Sequence, residues 1–461
     1  MFRWISLVVL IVLLAVVGCD PAADQAPGDG IAIPTVTPTD VEPTATLRPT
    51  ETPTPTPTPT ETPDTAETPE PTETPEPNET PEADATPEPE AAATPQPTPA
   101  NEPAATPEQN RAEPQVEVVA TGLTVPWALA FAPDGRIFVT ERGGNLRVIE
   151  NGELRAEPVG SLSVQAVGEG GLMGLALDPD FADNQWLYVM YTYAEGAQTL
   201  NRISRFTLAE NGLTDQVILV DAIPGARIHN GGRLIIGPDG TLYATTGDAA
   251  IPSLAQDMDS LAGKILRLNT DGSVPDDNPF PGSYIYSLGH RNAQGLTFQP
   301  GTDVLFSTEH GPTGDLDLCC RDELNRIVPG GNYGWPYVSG TDVVNPERAA
   351  ELDLIDPIFS SGLDTWAPAG AAFYDDGPLT QWQGDLFFGG LRGRHIRRVE
   401  LGGADDGEYV EDYMLYTDEY GRIRAVAMGP DGYLYFTTSN RDGRGSPAQN
   451  DDRVLRIGPA Q

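Results

Sequence analysis

One short pattern, repeated along the second part of the chain, constrains the fold more than any other feature. The stretches "FAPDGRIFVTERGG", "LDPDFADNQWLYVMYTY", "IGPDGTLYATTGD", "FQPGTDVLFSTEHG" and "MGPDGYLYFTTSN" each set an apolar strand, a tight turn and a second strand rich in β-branched and aromatic residues. "YDDGPLTQWQGDLFFGGL" is a looser copy. Proline presets φ in such turns, aspartate bonds its own backbone, and glycine accepts positive φ. The prolines fall at 133, 179, 238, 300, 378 and 430. Multi-stranded units at this spacing are the mark of a β-propeller, and six copies predict six blades in an all-β domain over residues 115–461. A β-sandwich would leave the recurrence unexplained. No amphipathic helix of useful length competes with the strands. The stretch "VEVVATGLTVPWALAF" is expected to close the ring with the C-terminal "RVLRIG".

The chain before residue 115 is of another kind. Residues 1–19 begin Met-Phe-Arg-Trp, continue as "LVVLIVLLAVV" and end in Gly18-Cys19. A basic start and a short apolar run make a secretory signal, too short and wrongly flanked to span a membrane. Val-Val-Gly-Cys resembles a bacterial lipobox, which implies cleavage before Cys19 and lipidation of that cysteine. Residues 20–114 are dominated by Pro, Thr, Glu and Ala, as in "PTPTPTPTETP". They have too little apolar surface to offset the entropy of ordering, and are expected to form a disordered, extended spacer. The expected arrangement is an extracytoplasmic head, tethered to the membrane surface only through its N-terminal lipid. With 27 Lys+Arg against 68 Asp+Glu and no basic run, no nucleic-acid partner is expected. Cys319 and Cys320 are adjacent and read as two free or capped thiols in a loop or, in an oxidising compartment, as a vicinal disulfide that stiffens the loop.

Several residues just outside the strand pairs exceed what a blade needs. His229 precedes the first strand of its unit, and Asp248 follows the second. "SLGHRNAQGLTF" puts His290, Arg291, Asn292 and Gln294 at the matching place one unit on. "STEHGP" brings Glu309, His310, Gly311 and Pro312, and Arg392, Arg422 and Arg424 come later. Singly, each reads as a loop residue or a surface ion pair of little consequence. A propeller gathers equivalent points around one axis, so together they describe a pocket for a polyanion.

From about Val116 to Ile457 the chain resembles the soluble pyrroloquinoline-quinone-dependent aldose sugar dehydrogenases, the glucose/sorbosone dehydrogenase family. "VPWALAFAPDGRIFVTERGGNLRVI", "GEGGLMGLALDPDF", "HNGGRLIIGPDG", "LAGKILRLNTDG", "GHRNAQGL", "EHGP" and "DELNRIVPGGNYGWP" carry the likeness in this order. The resemblance implies a six-bladed propeller that oxidises the anomeric hydroxyl of an aldose to a lactone. It puts His229 at the general base, a role that suits imidazole, and Asp248 at the carboxylate supporting it. It puts Arg291 and Asn292 at the quinone oxygens, Arg422 and Arg424 at cofactor carboxylates, and His310 in the same pocket. Arg392 stands where the family commonly has lysine. The carbonyls of Gly311 and Pro312 match ligands of a cofactor-bound Ca²⁺, and Glu323 and Tyr333 match a second, structural calcium site. Glu169 and Ile228 replace a glutamine and an aspartate of the glucose-oxidising branch, and "DLDLCC" is an apparent insertion beside the metal loop. The implied partners are an aldose and an electron acceptor, a quinone or a cytochrome. Competing readings are a calcium-dependent propeller lactonase and a non-catalytic tethered propeller that binds glycan or protein. The arginines weigh against the first and the His229/Asp248 pair against the second.

Overall fold

The computed structural model describes residues 112–402 and 407–460. The expected signal segment, Cys19 and spacer residues 20–111 lie outside them. Among the described residues, six antiparallel sheets follow one another in chain order. Their innermost strands are Pro126–Phe131, Leu172–Leu177, Leu234–Ile236, Ala293–Phe298, Pro368–Phe373 and Ile423–Met428, and these begin blades 1 to 6. Each packs against the next, and the sixth against the first, which closes the ring. No helix among the described residues is long and apolar enough to cross a membrane.

The repeated turn joins the inner strand of each blade to the second strand. In blade 3, Asp239 Oδ1 accepts from the Thr241 N–H at 3.0 Å, and Gly240 holds φ +76°. The second strands Ile137–Glu141, Leu242–Thr245, Leu305–Glu309, Leu386–Gly390 and Leu434–Thr438 are buried along their whole length. Neighbouring blades cover both of their faces, so these strands read as continuous apolar and β-branched runs rather than as alternation. All the turns lie at one end of the channel. The loops that enter the inner strands lie at the other.

Ring closure follows the sequence expectation. Pro114–Ala120 is the outer strand of blade 6 and pairs antiparallel with Val454–Pro459. Leu123 and Asp452 exchange both backbone hydrogen bonds at 3.0 Å, and the Val125 N–H donates to Asp452 Oδ2 at 3.0 Å.

Candidate active site

The loops entering blades 2, 3, 4 and 6 converge at the end of the channel opposite the turns. His229 and Asp248 lie on the two flanks of the blade 3 hairpin, with His229 Nδ1 2.7 Å from Asp248 Oδ1. Asp248 is fully buried. Its Oδ1 also accepts from the Ala250 N–H at 2.8 Å, and its Oδ2 accepts from Trp335 Nε1 at 2.8 Å. A carboxylate so placed accepts a hydrogen bond from the imidazole Nδ1–H and leaves Nε2 as the ring's basic nitrogen. His229 itself has φ +59°, in the left-handed region. The neighbouring backbone enforces that turn. A Cβ on Gly247 would lie 2.0 Å from the His229 carbonyl oxygen, so only glycine lets the second strand end so close.

Glu169, at the entrance to blade 2, links three blades to this pair. Its Oε2 accepts from the His229 N–H at 3.0 Å and from Asn292 Nδ2 at 3.4 Å, and its Oε1 from Arg444 at 3.0 Å. Burial opposes its charge, but the surrounding histidines and Arg444 outweigh that and hold the carboxyl below its ordinary range. Asn292 is fully buried and accepts from the Gly231 N–H at 3.0 Å. His310 has its Nε2 enclosed without a hydrogen-bond partner. Burial pushes the His310 ring down to about 3, so it stays neutral at physiological pH.

Arg291 is held from several sides. Its Nη1 donates to the His310 carbonyl at 3.1 Å, its Nε to Asp315 Oδ2 at 3.0 Å, and its guanidinium lies 5.6 Å from the centre of the Trp335 ring. Arg422 and Arg424, both buried, share a single carboxylate: Asp442 Oδ2 is 2.8 Å from Arg422 Nε and 3.6 Å from Arg424 Nη2. Arg142 reaches the same corner, where its Nη2 donates to the Asp442 carbonyl at 3.4 Å. Three guanidiniums around one carboxylate leave an excess of positive charge and N–H donors, as the sequence expectation of an anion site requires.

Arg392 does not join this cluster as expected. Its side chain is exposed and makes no hydrogen bond or ion pair among the described residues, while its neighbour Leu391 accepts from Arg422 Nη1 at 3.0 Å through the carbonyl. His290 is structural, with its ring bonded by Glu309 and Ser287 at 2.8 and 2.9 Å and stacked on Tyr333.

The residues matched to calcium also come together. Gly311, Pro312, Glu323 and Tyr333 line one cavity of about 10 Å³ with Glu309, which stands directly across the strand pair from Glu323. That volume suits a single water or ion. Burial and the neighbouring Glu309 charge push the Glu323 carboxyl up to about 8. The Glu323 oxygens accept from the Gly340 N–H and Asn325 Nδ2, and Tyr333 donates its hydroxyl to the Arg326 carbonyl. Among the described residues no group of three or more His, Cys, Asp or Glu side chains could hold a metal, so backbone carbonyls would have to supply the other ligands.

Of the two readings of the adjacent cysteines, the structure has the bridged one. Cys319 and Cys320 are joined in a vicinal disulfide. A bridge between Thr313 and Cys319, and a bond from Arg321 Nη1 to the Cys319 carbonyl at 3.0 Å, fold this segment back on itself. The segment packs on the ion-sized cavity, since a Cβ on Gly311 would lie 1.8 Å from the Cys320 carbonyl oxygen. It also delivers Asp315 to Arg291. Asp315→Asn is expected to leave the fold intact and weaken the hold on Arg291, which would lower kcat by about tenfold, the scale of one charge-assisted hydrogen bond. Unchanged kcat and KM in that variant would show that the ion pair is only a surface contact.

Sequence reasoning missed Trp335, Asp315, Arg142, Asp442 and Arg444. A tryptophan in "GGNYGWP" or an aspartate in "NRDGRG" carries no signal of its role until the ring brings it to the histidine or the arginines.

A family model described as Glucose / Sorbosone dehydrogenase matches residues 123–447. Aldose sugar dehydrogenase YliI of Escherichia coli (strain K12) is 36% identical over 348 residues, covering 71% of this chain and 91% of that protein. Quinoprotein glucose dehydrogenase B of Acinetobacter calcoaceticus is 39% identical over 258 residues, 49% of this chain and 52% of that one. The PQQ-bound structure of the aldose sugar dehydrogenase from Streptomyces coelicolor aligns with a TM-score of 0.65 at 37% identity, covering 75% of this chain and 98% of that one.

Proposed function

Because this chain belongs to the glucose/sorbosone dehydrogenase family, we propose that it oxidises the anomeric CH–OH of aldose sugars to lactones, with pyrroloquinoline quinone as cofactor and His229 as general base. The observation that carries this reading is the buried His229–Asp248 pair beside the arginine cluster.

The donor set fits the cofactor, a flat quinone bearing three carboxylates. Arg422 and Arg424, with Arg142 beside them, outnumber the one carboxylate they share and would hold cofactor carboxylates. Arg291, Asn292 and the unpartnered His310 Nε2 offer polar contacts for ring oxygens and nitrogens. When bound, the quinone would supply the hydride acceptor, calcium at the Gly311 and Pro312 carbonyls would supply Lewis acidity, and a second calcium at Glu323 and Tyr333 would supply a structural counter-charge. His229 Nε2 takes the proton of the sugar's anomeric hydroxyl. Asp248, fixed by Trp335 and the Ala250 N–H, keeps the ring oriented and stabilises its protonated form. Arg291 places positive charge where negative charge grows during oxidation. Glu169 lines the approach to His229, and with Ile228 it stands where the glucose-oxidising branch has a glutamine and an aspartate. The signal segment and Cys19 support export and lipid anchoring as part of this reading, with electrons leaving to a quinone or a cytochrome.

The test is reconstitution. Purified protein given the cofactor and Ca²⁺ is expected to reduce an artificial dye acceptor at the expense of aldoses, and addition of EGTA is expected to lower both the rate and Tm. A reconstituted protein that binds the cofactor but oxidises no aldose in a broad panel would overturn the proposal.

A further inference from the structure

The end of the channel opposite His229 holds a second cavity, of about 480 Å³. All six blades contribute to it through their inner strands, with Leu129, Leu175, Ile236, Phe298, Phe373 and Met428 among the walls. Such a volume falls within the ordinary range of small-molecule sites. Polar and apolar atoms share its lining about equally; Arg233 is its buried charge, and the half-buried Asp375, which accepts from Gln383 Nε2, is its carboxylate.

Arg233 is 8% exposed, and no carboxylate pairs with it among the described residues. Its Nε donates to the Gln294 carbonyl at 2.9 Å, and its guanidinium lies 4.3 Å from the centre of the Trp127 ring. Its Nη2 is enclosed and has no hydrogen-bond partner. Gln294 stands between the two cationic groups of the channel, because its side-chain Oε1 accepts from Arg424 Nη1 at 3.2 Å. Arg424 shares Asp442 at the active-site end, and Arg233 has no such partner. Burial and the nearby Arg424 bring the Arg233 guanidinium down to about 9, still charged at neutral pH. A buried cation with an idle donor and no paired carboxylate is costly unless an anion is supplied from outside.

We propose that this cavity binds a small organic carboxylate with an apolar body, its head on Arg233 and its body against the inner strands. The unpaired guanidinium selects the negative charge, and the six apolar walls select the rest of the molecule. The inference goes beyond the sugar-oxidation reading and does not depend on it.

Octanoate is the probe. Titrated calorimetrically into the full-length protein without cofactor or sugar, it is expected to bind saturably at one site. 1-Octanol, of the same length but uncharged, is expected to bind at least about tenfold more weakly, the scale of a lost charge-assisted hydrogen bond. Arg233→Met should abolish the charge preference. Ala427→Leu, which narrows the cavity and leaves Arg233 in place, should weaken octanoate without unfolding the protein, as checked by its Tm. Absence of saturable binding, equal affinity in Arg233→Met, or equal binding of octanol would overturn the proposal. So would displacement by chloride as effective as by octanoate, which would make the site one for an inorganic ion. Loss of cofactor affinity in Arg233→Met, with no octanoate site in the parent protein, would assign the guanidinium to the cofactor instead.

Discussion

His229→Ala is expected to lower kcat by about 10²–10⁴-fold, the range for removal of a general base, while the cofactor still binds. The local structure explains why the effect should be specific. The His229 backbone N–H, which bonds Glu169 Oε2, is retained in the variant. Asp248 keeps two of its donors, the Ala250 N–H and Trp335 Nε1, and so is not left as a bare buried charge. Alanine must take the same left-handed φ that His229 already takes, a modest strain. The measurements are dye-linked kcat and cofactor affinity by spectroscopic titration, with Tm as a control on folding. Turnover near that of the parent would remove His229 from the mechanism. A drop in Tm that accounts for the lost activity would make its role structural.

The second large effect concerns the arginines of blade 6. From the sequence, replacing Arg422 and Arg424 together by glutamine is expected to weaken cofactor binding and spare the apoprotein. The structure revises that design. Asp442 has a side chain only 2% exposed and relies on both guanidiniums, so the double substitution would strand a buried carboxylate, and breaking such a pair costs about 3–5 kcal/mol. Arg422→Gln/Arg424→Gln/Asp442→Asn removes the network as a unit. In that variant cofactor affinity is expected to fall by about 10²-fold or more, since each charge-assisted hydrogen bond contributes about 1.5–3 kcal/mol, while apoprotein Tm stays close to that of the parent. Unchanged affinity with a lowered Tm would mean that the three residues serve the fold alone.

The parts that were legible in the sequence share one property: they lie within a single repeat. His229 and Asp248 flank one hairpin, so blade geometry alone brings them together, and the turn residues that set the blades are local by nature. Asp315 reaches the site from the loop after the second strand of blade 4 and Trp335 from the long excursion after its third strand, Glu323–Ile327, where no periodicity guides the reader. Arg392 shows the limit of carrying a position over by likeness. The backbone around it meets the cluster through the Leu391 carbonyl, while the side chain is exposed. The vicinal disulfide stayed one of two readings because only the fold of its own short loop brings the two sulfurs into bonding contact.

The closure of blade 6 sets the order in which this molecule can be made. The strand Pro114–Ala120 and the turn at Leu123–Val125 are held by Val454–Pro459 and Asp452, and the Val125–Asp452 contact spans 327 residues of chain. Blades 1 to 5 can form as the chain emerges, but the ring cannot shut until Val454–Pro459 has been made. An unfinished chain therefore presents two uncovered blade faces and an unpaired edge, the surfaces that chaperones and proteases recognise. Completion is thus checked by the architecture itself: a chain cut short before Val454 has every residue of the candidate site and no closed ring to hold them.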